Sequence, residues 1–142
     1  MAVEHRAHTT WEGDLTSGSG VFTLGSGVTG PQQVTWRARA EDASAGTSPE
    51  ELIAAALSSC FSMALSGALA RAGTPPTKLE TDVVSTFVGG EGIKKFAVTV
   101  RGDVPGSDES GFRAAAEQAK EGCPVSKALM GNVEITVDAA LT

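Results

Sequence analysis

From Leu52 to Ala70 the chain carries no charged side chain, and this run constrains the fold more than any other feature. The segment that contains its first part, T-S-P-E-E-L-I-A-A-A-L-S-S-C-F-S-M-A-L from Thr47 to Leu65, opens with helix-start signals. Ser48 stands at the N-cap and Pro49 at the first helical position. Glu51 follows Ser48 by three residues, the spacing of a capping box. Leu52, Ile53, Ala56, Leu57, Cys60, Phe61, Ala64, Leu65, Ala68 and Leu69 recur with a period of about 3.6. Gly73 and Pro75-Pro76 end the helix. The positions between, Ala54, Ala55, Ser58, Ser59 and Ser62, are small rather than charged. A helix without a polar face is covered on all sides. In a chain of 142 residues, which is one domain's length, that implies a second copy packed against it.

Strands surround this helix in the sequence. His5 to Gly13 reads as a strand, and Val21, Phe22 and Leu24 mark a second. Gln33 to Arg39 alternates and reads as a third. There Val34, Trp36 and Ala38 take one face, while Arg37 and Arg39 lie on the other. Leu79–Val88 and Ile93–Val104 form a hairpin across Gly89-Gly90-Glu91-Gly92. Ser110–Glu121 is an amphipathic helix, Pro124 starts a short helix to Met130, and Val133–Ala139 is the last strand. The order βββ-α-ββ-α-α-β describes a single α+β domain over residues 1–142 without a parallel Rossmann array.

Composition narrows the function. The net charge is −6, and an acidic chain without a basic cluster is a poor partner for nucleic acid. No apolar stretch reaches the ~20 residues of a membrane span, and the first residues lack a signal-peptide core. The expected location is the cytoplasm, where thiols stay reduced unless they are catalytic or sensing.

That makes the two cysteines the centre of the chemistry. Cys60 lies within the apolar helix. Cys123 lies at a helix start in G-C-P-V-S-K-A-L, from Gly122 to Leu129. Two thiols are too few for a structural metal site, and His5 and His8 fall on opposite strand faces, so no metal or other cofactor is expected. A mid-helix cysteine is more often an inert hydrophobe, and burial raises its pKa. A reactive Cys60 therefore needs a cation, and Arg37 and Arg39 are the candidates. Cys123 gains from peptide dipoles at its helix start, so physics alone makes it the more reactive thiol. Glu51 is occupied by the capping box, which leaves Glu50 to orient an arginine. Glu50 and Cys60 are ten residues apart, or about 15 Å along one helix. They share a site only across two copies or through a long arginine bridging them.

The two cysteine segments, with W-E-G-D-L from Trp11 to Leu15, closely resemble the OsmC/Ohr family of thiol-dependent peroxidases over the whole chain. Arg39 matches the arginine of the OsmC (osmotically inducible protein C) branch, and Ala7 to Gln33 lacks the early arginine of the Ohr branch. The resemblance implies an intertwined homodimer with long central helices wrapped by antiparallel β-sheets. It implies Cys60 as the peroxide-attacking thiol, Cys123 as the resolving thiol, Arg39 as activator and Glu50 as its partner. It also implies organic hydroperoxides as substrates and a dithiol as the reductant. Leu57, Phe61 and Met63, beside Cys60, are the expected lining for an alkyl group and favour organic peroxides over hydrogen peroxide. The competing reading is a dimeric module that binds a lipid-like ligand and uses the thiols as a redox sensor.

Overall fold

A computed structural model describes residues 1–142. The chain divides into two compact units, Met1–Leu52 and Ile53–Thr142.

In the first unit, strands β1 (Ala7–Glu12), β2 (Ser19–Leu24) and β3 (Gln32–Val34) form an antiparallel sheet in sequence order. The turn between β1 and β2 is tied by Asp14. Its carboxylate accepts from the Thr16 and Ser17 N–H groups at 2.8 and 2.9 Å and from both their hydroxyls. Trp11 pairs with Gly20 across the sheet. A Cβ at Gly20 would lie 2.8 Å from the Trp11 ring and 3.1 Å from Val34, so only glycine lets the indole settle there.

The third strand stops at Val34, five residues short of its expected end. Trp36–Ala40 is instead a short helix, α1. Thr35 is the reason. It adopts extended N-cap geometry, and its hydroxyl accepts from the Ala38 N–H at 3.2 Å. Alternation over five residues is compatible with one helical turn, so the pattern alone does not exclude it. On a helix Arg37 and Arg39 diverge, where on a strand they would share a face.

Helix α2 (Pro49–Arg71) begins as the S-P-E-E signal predicts, with the Ser48 hydroxyl accepting from the Glu51 N–H at 3.1 Å. It runs from the end of the first unit through the second. Contrary to the expectation from sequence, it is long and apolar enough to cross a membrane by length and composition alone. Alanine, serine and glycine fill the positions between its larger apolar residues, so no charge interrupts it. In this fold its Leu57, Phe61, Leu65 and Leu69 belong to the protein core.

In the second unit β4 (Lys78–Val88) and β5 (Gly92–Asp103) form the expected hairpin. Helices α3 (Glu109–Gly122) and α4 (Pro124–Leu129) then carry the chain over to β6 (Glu134–Leu141). Strand β6 pairs with β5 in parallel, so this sheet is mixed and not antiparallel throughout. The α3–α4 crossover is long enough to return the chain in the same direction, which a strand pattern cannot reveal. Phe96, Val98 and Val100 of β5 meet Leu57, Phe61, Leu65 and Leu69 of α2 and Phe112, Ala116 and Ala119 of α3 in one core. The Phe112 ring lies where a Cβ on Gly102 would be, at 2.7 Å, so that glycine admits the helix to the sheet.

Candidate active site

Two groups of reactive side chains stand out, one in each unit. In the first, Arg39 on α1 meets Glu50 in the first turn of α2. The Arg39 Nε and Nη2 both donate to Glu50 Oε1, at 3.0 and 2.8 Å. Glu50 is only 4% exposed, a charge that burial tolerates only with such a partner. The α2 N-terminus also favours a carboxylate at this position. Glu50 Oε2 is buried and accepts no hydrogen bond. Arg37 takes a different partner, the exposed Asp42, at 3.1 Å. The two arginines that sequence leaves as alternatives are thus separated by the α1 turn, and only Arg39 holds a buried acid.

Beside Arg39 lies a cavity of about 160 Å³, walled by Trp11, Leu15, Val34, Trp36 and Pro49. Both tryptophans of the chain line it. The lining is almost wholly apolar, with the guanidinium and Thr35 as its polar members. No local sequence pattern marks this cavity. Its residues come from β1, the β1–β2 turn, β3, α1 and the start of α2, and no local pattern links them. W-E-G-D-L was the one available signal, since it carries Trp11 and Leu15.

In the second unit the two thiols come together. Both cysteines are free, Cys60 half-buried and Cys123 fully buried. Each sulfur feels the other through a thiol–thiol contact. Burial pushes the Cys60 thiol up, and the contact with Cys123 pushes the same way against a weaker pull from the Val125 N–H. Burial also raises Cys123, but the Cys60 thiol, the Ser126 N–H and the Val125 N–H together hold it below the ordinary thiol value. Cys123 caps α4, its sulfur accepting from the Ser126 N–H at 3.5 Å. The Ser126 hydroxyl is buried too and completes no hydrogen bond. Ser126 was missed in the sequence, although its place three residues after a helix-capping Cys123 is the N-cap to N3 spacing.

The lining expected from sequence changes here. Leu57 and Phe61 are 0% exposed and belong to the core, so neither lines an opening. Met63 is 76% exposed. A helix that is apolar on every side does not disclose which side faces the core, and Leu57 and Phe61 lie on the stripe that does. Around Cys60 the accessible surface comes from Ala56, Ser59 and Met63. Along α2 itself, Glu50 and Cys60 remain about 15 Å apart.

Comparison with known proteins identifies the chain's relatives. Residues 40–138 match the family model described as OsmC-like protein. The chain is 43% identical to Peroxiredoxin OsmC of Escherichia coli (strain K12), over 97% of this chain and 96% of that one. It is 32% identical to an organic hydroperoxide resistance protein of Xanthomonas axonopodis pv. citri (strain 306), over 67% of this chain and 68% of that one. The crystal structure of the organic hydroperoxide resistance protein OhrB of Bacillus subtilis superposes with a TM-score of 0.68 at 25% identity, covering 95% of this chain and 98% of that one. A family match over residues 40–138 and 43% identity along nearly the full length show that this chain belongs to the OsmC family.

Proposed function

We propose that the protein is a cysteine-based peroxidase that reduces organic hydroperoxides to alcohols, and hydrogen peroxide less well, in defence against oxidative and osmotic stress. The observation that carries this reading is the meeting of two free thiols, one half-buried and one held low in pKa. The Cys60 thiolate attacks the terminal oxygen of ROOH. The O–O bond breaks and RO⁻ leaves, taking a proton to become ROH. Cys60 is now a sulfenic acid. The Cys123 sulfur attacks it, the hydroxyl leaves as water, and a Cys60–Cys123 disulfide forms. A dithiol restores both thiols.

Cys60 needs help, because its surroundings disfavour its thiolate. Arg39 supplies it, stabilising both the thiolate and the charge that develops on the peroxide oxygens. Glu50 fixes the guanidinium. The residues act as one domain in a homodimer, in which antiparallel α2 helices carry the Arg39–Glu50 pair of one protomer to Cys60 of its partner. Three features support this. Glu50 and Cys60 cannot meet along one helix. Leu52, Ala55, Ala56, Ser59 and Met63 form an exposed, uncharged stripe on α2. The first unit buries only Phe22 and Ala38 among its hydrophobic residues, too little to be stable uncovered. The cavity beside Arg39 takes the organic group of the peroxide, with Met63 at its rim in the assembled site. A cytoplasmic location fits a cycle that returns through a dithiol.

Thiol counting tests the reading. One equivalent of tert-butyl hydroperoxide should remove both thiols and form the disulfide, and added dithiothreitol should sustain peroxide loss. Oxidation once, without turnover under excess dithiol, would instead support a redox-sensing binding module.

A further inference from the structure

We propose that the recycling dithiol attacks the disulfide at Cys60 Sγ and never at Cys123 Sγ, and that Ser126 receives the Cys123 thiolate that leaves. This rests on the reading above, that the two thiols form a catalytic disulfide.

The two sulfurs differ in access. Cys123 is 0% exposed and lies in the core with Phe112, Ala116 and Ala119. Association with a second copy can only cover it further. Cys60 is half-buried, with the exposed Ala56, Ser59 and Met63 beside it on α2. It must also stay reachable in any assembly, because a peroxide has to reach it. Thiol–disulfide exchange is an in-line displacement, with incoming, central and leaving sulfurs close to collinear. An attack on Cys123 Sγ from the side opposite Cys60 would run through the packed core. An attack on Cys60 Sγ comes from the side that admits the peroxide.

The leaving group is also prepared. The Ser126 N–H already donates to Cys123 Sγ at 3.5 Å. The Ser126 hydroxyl is fully buried without a hydrogen bond, a condition that costs stability. A neutral thiol is a weak acceptor, whereas a thiolate is a strong one. The orphaned hydroxyl therefore gains its partner when Cys123 leaves as an anion. Cys60 has no S–H to donate once it is bonded to the reductant, so the Ser126 and Val125 N–H groups are what remains to favour the departing Cys123 thiolate, and a thiol of lower pKa leaves faster.

The step balances. The reductant thiolate RS⁻ forms a bond to Cys60 Sγ, and the Cys60–Cys123 bond breaks. The electron pair goes to Cys123 Sγ, and the product is RS–S–Cys60. The second thiol of the dithiol, deprotonated, then attacks the reductant's own sulfur. A cyclic disulfide departs and Cys60 is released as a thiolate. Ser126 is a positioning residue here, since it touches neither peroxide nor reductant.

The test begins with protein oxidised by one equivalent of tert-butyl hydroperoxide. It is exposed briefly to 2-mercaptoethanol, quenched with N-ethylmaleimide and mapped by peptide mass. The expected result is mercaptoethanol on Cys60 and maleimide on Cys123. Mercaptoethanol on Cys123, or on both cysteines equally, would overturn the inference while leaving the peroxidase reading intact. Failure to form any Cys60–Cys123 disulfide would overturn both. Ser126→Ala gives an independent readout. Removing an unpartnered buried hydroxyl should leave Tm unchanged or raise it. In a Cys60→Ser background it should move the ultraviolet thiolate titration of Cys123 upward by about one pH unit. With Cys60 present it should slow reduction by dithiothreitol about threefold or more. An unchanged titration and rate would remove Ser126 from the step.

Discussion

The two units of the chain are built on different principles. Residues 53–142 have a conventional core, in which Phe61, Phe96, Phe112, Leu57 and Leu65 are fully buried between two helices and a sheet. Residues 1–52 have a three-stranded sheet, two buried hydrophobic side chains and one buried charge, Glu50. The thiols sit in the well-packed unit. The cation and the apolar cavity sit in the thin one. Thiol exchange needs two sulfurs fixed at close range, and a core provides that. The cavity proposed for the organic group is walled by strand ends and turns, which tolerate variation in shape.

The largest effect should come from the packed unit. Cys60→Ser should abolish peroxide consumption. Cys123→Ser should consume one equivalent and then stall or over-oxidise, as read by thiol counting and intact mass. Full activity in Cys60→Ser would break the division of labour at once.

Next comes the cation of the thin unit. If the proposed dimer brings Arg39 to Cys60, Arg39→Ala should raise the Cys60 pKa further by removing that positive charge. The pH profile of peroxide consumption should move to the alkaline side. Near neutral pH, activity should fall about tenfold for every pH unit that the profile moves. Arg37→Ala should act as wild type, since Arg37 spends its charge on the exposed Asp42. Equal effects from both would mean that α1 is misplaced. Glu50→Gln keeps the shape of the pair but loosens the guanidinium, so its effect should be the smaller of the two site changes.

The cavity should sharpen the comparison through substrate choice. Trp36→Ala should lower kcat/KM for a bulky organic hydroperoxide and leave hydrogen peroxide nearly untouched. If about 60 Å² of the organic group is buried there, roughly 1.5 kcal/mol or tenfold is at stake. Equal losses with both peroxides would point to a damaged fold, not a lost pocket wall.

The smallest effect belongs to the β1–β2 turn. Hydrogen bonds from the Ser17 hydroxyl and N–H, and then from Thr16, hold the Asp14 carboxyl well below the usual carboxylate range. Its folded pKa is depressed, so its contribution is complete above the ordinary value of 3.8 and fades only as pH falls toward the lowered one. Asp14→Ala should reduce Tm by a small, measurable amount, and the difference from wild type should shrink in strong acid.

The sequence disclosed the packed unit better than the thin one. In the packed unit the β4–β5 turn was written in its glycines and α4 in Cys123-Pro124, and at the end of the thin unit Ser48, Pro49 and Glu51 marked the start of α2. These are local signals that the tertiary fold does not overrule. In the first unit Val34, Trp36 and Ala38 satisfy strand alternation and a helical turn equally well, and Thr35 decides between them by capping. An all-apolar helix hides its orientation, so its sequence does not separate Leu57 and Phe61, which face the core, from residues that face outward. The parallel pairing of β6 and the cavity beside Arg39 are products of chain direction and of distant segments meeting, which no local pattern carries. Arg39 and Glu50 were the exception. Their pairing is long-range, yet the need of Cys60 for a cation pointed to Arg37 and Arg39, the idle carboxylate of Glu50 to an arginine partner, and the resemblance to the OsmC branch to Arg39.

The central claim is that a cation from the thin unit of one protomer activates a thiol in the packed unit of its partner. Co-refolding equal amounts of Cys60→Ser and Arg39→Ala chains tests it directly. Each homodimer is crippled, but a mixed dimer then holds one site with both Cys60 and Arg39 intact. Peroxide consumption should recover to about a quarter of wild type, the share of complete sites when two chains pair at random. A mixture no more active than the Arg39→Ala protein alone would contradict the claim.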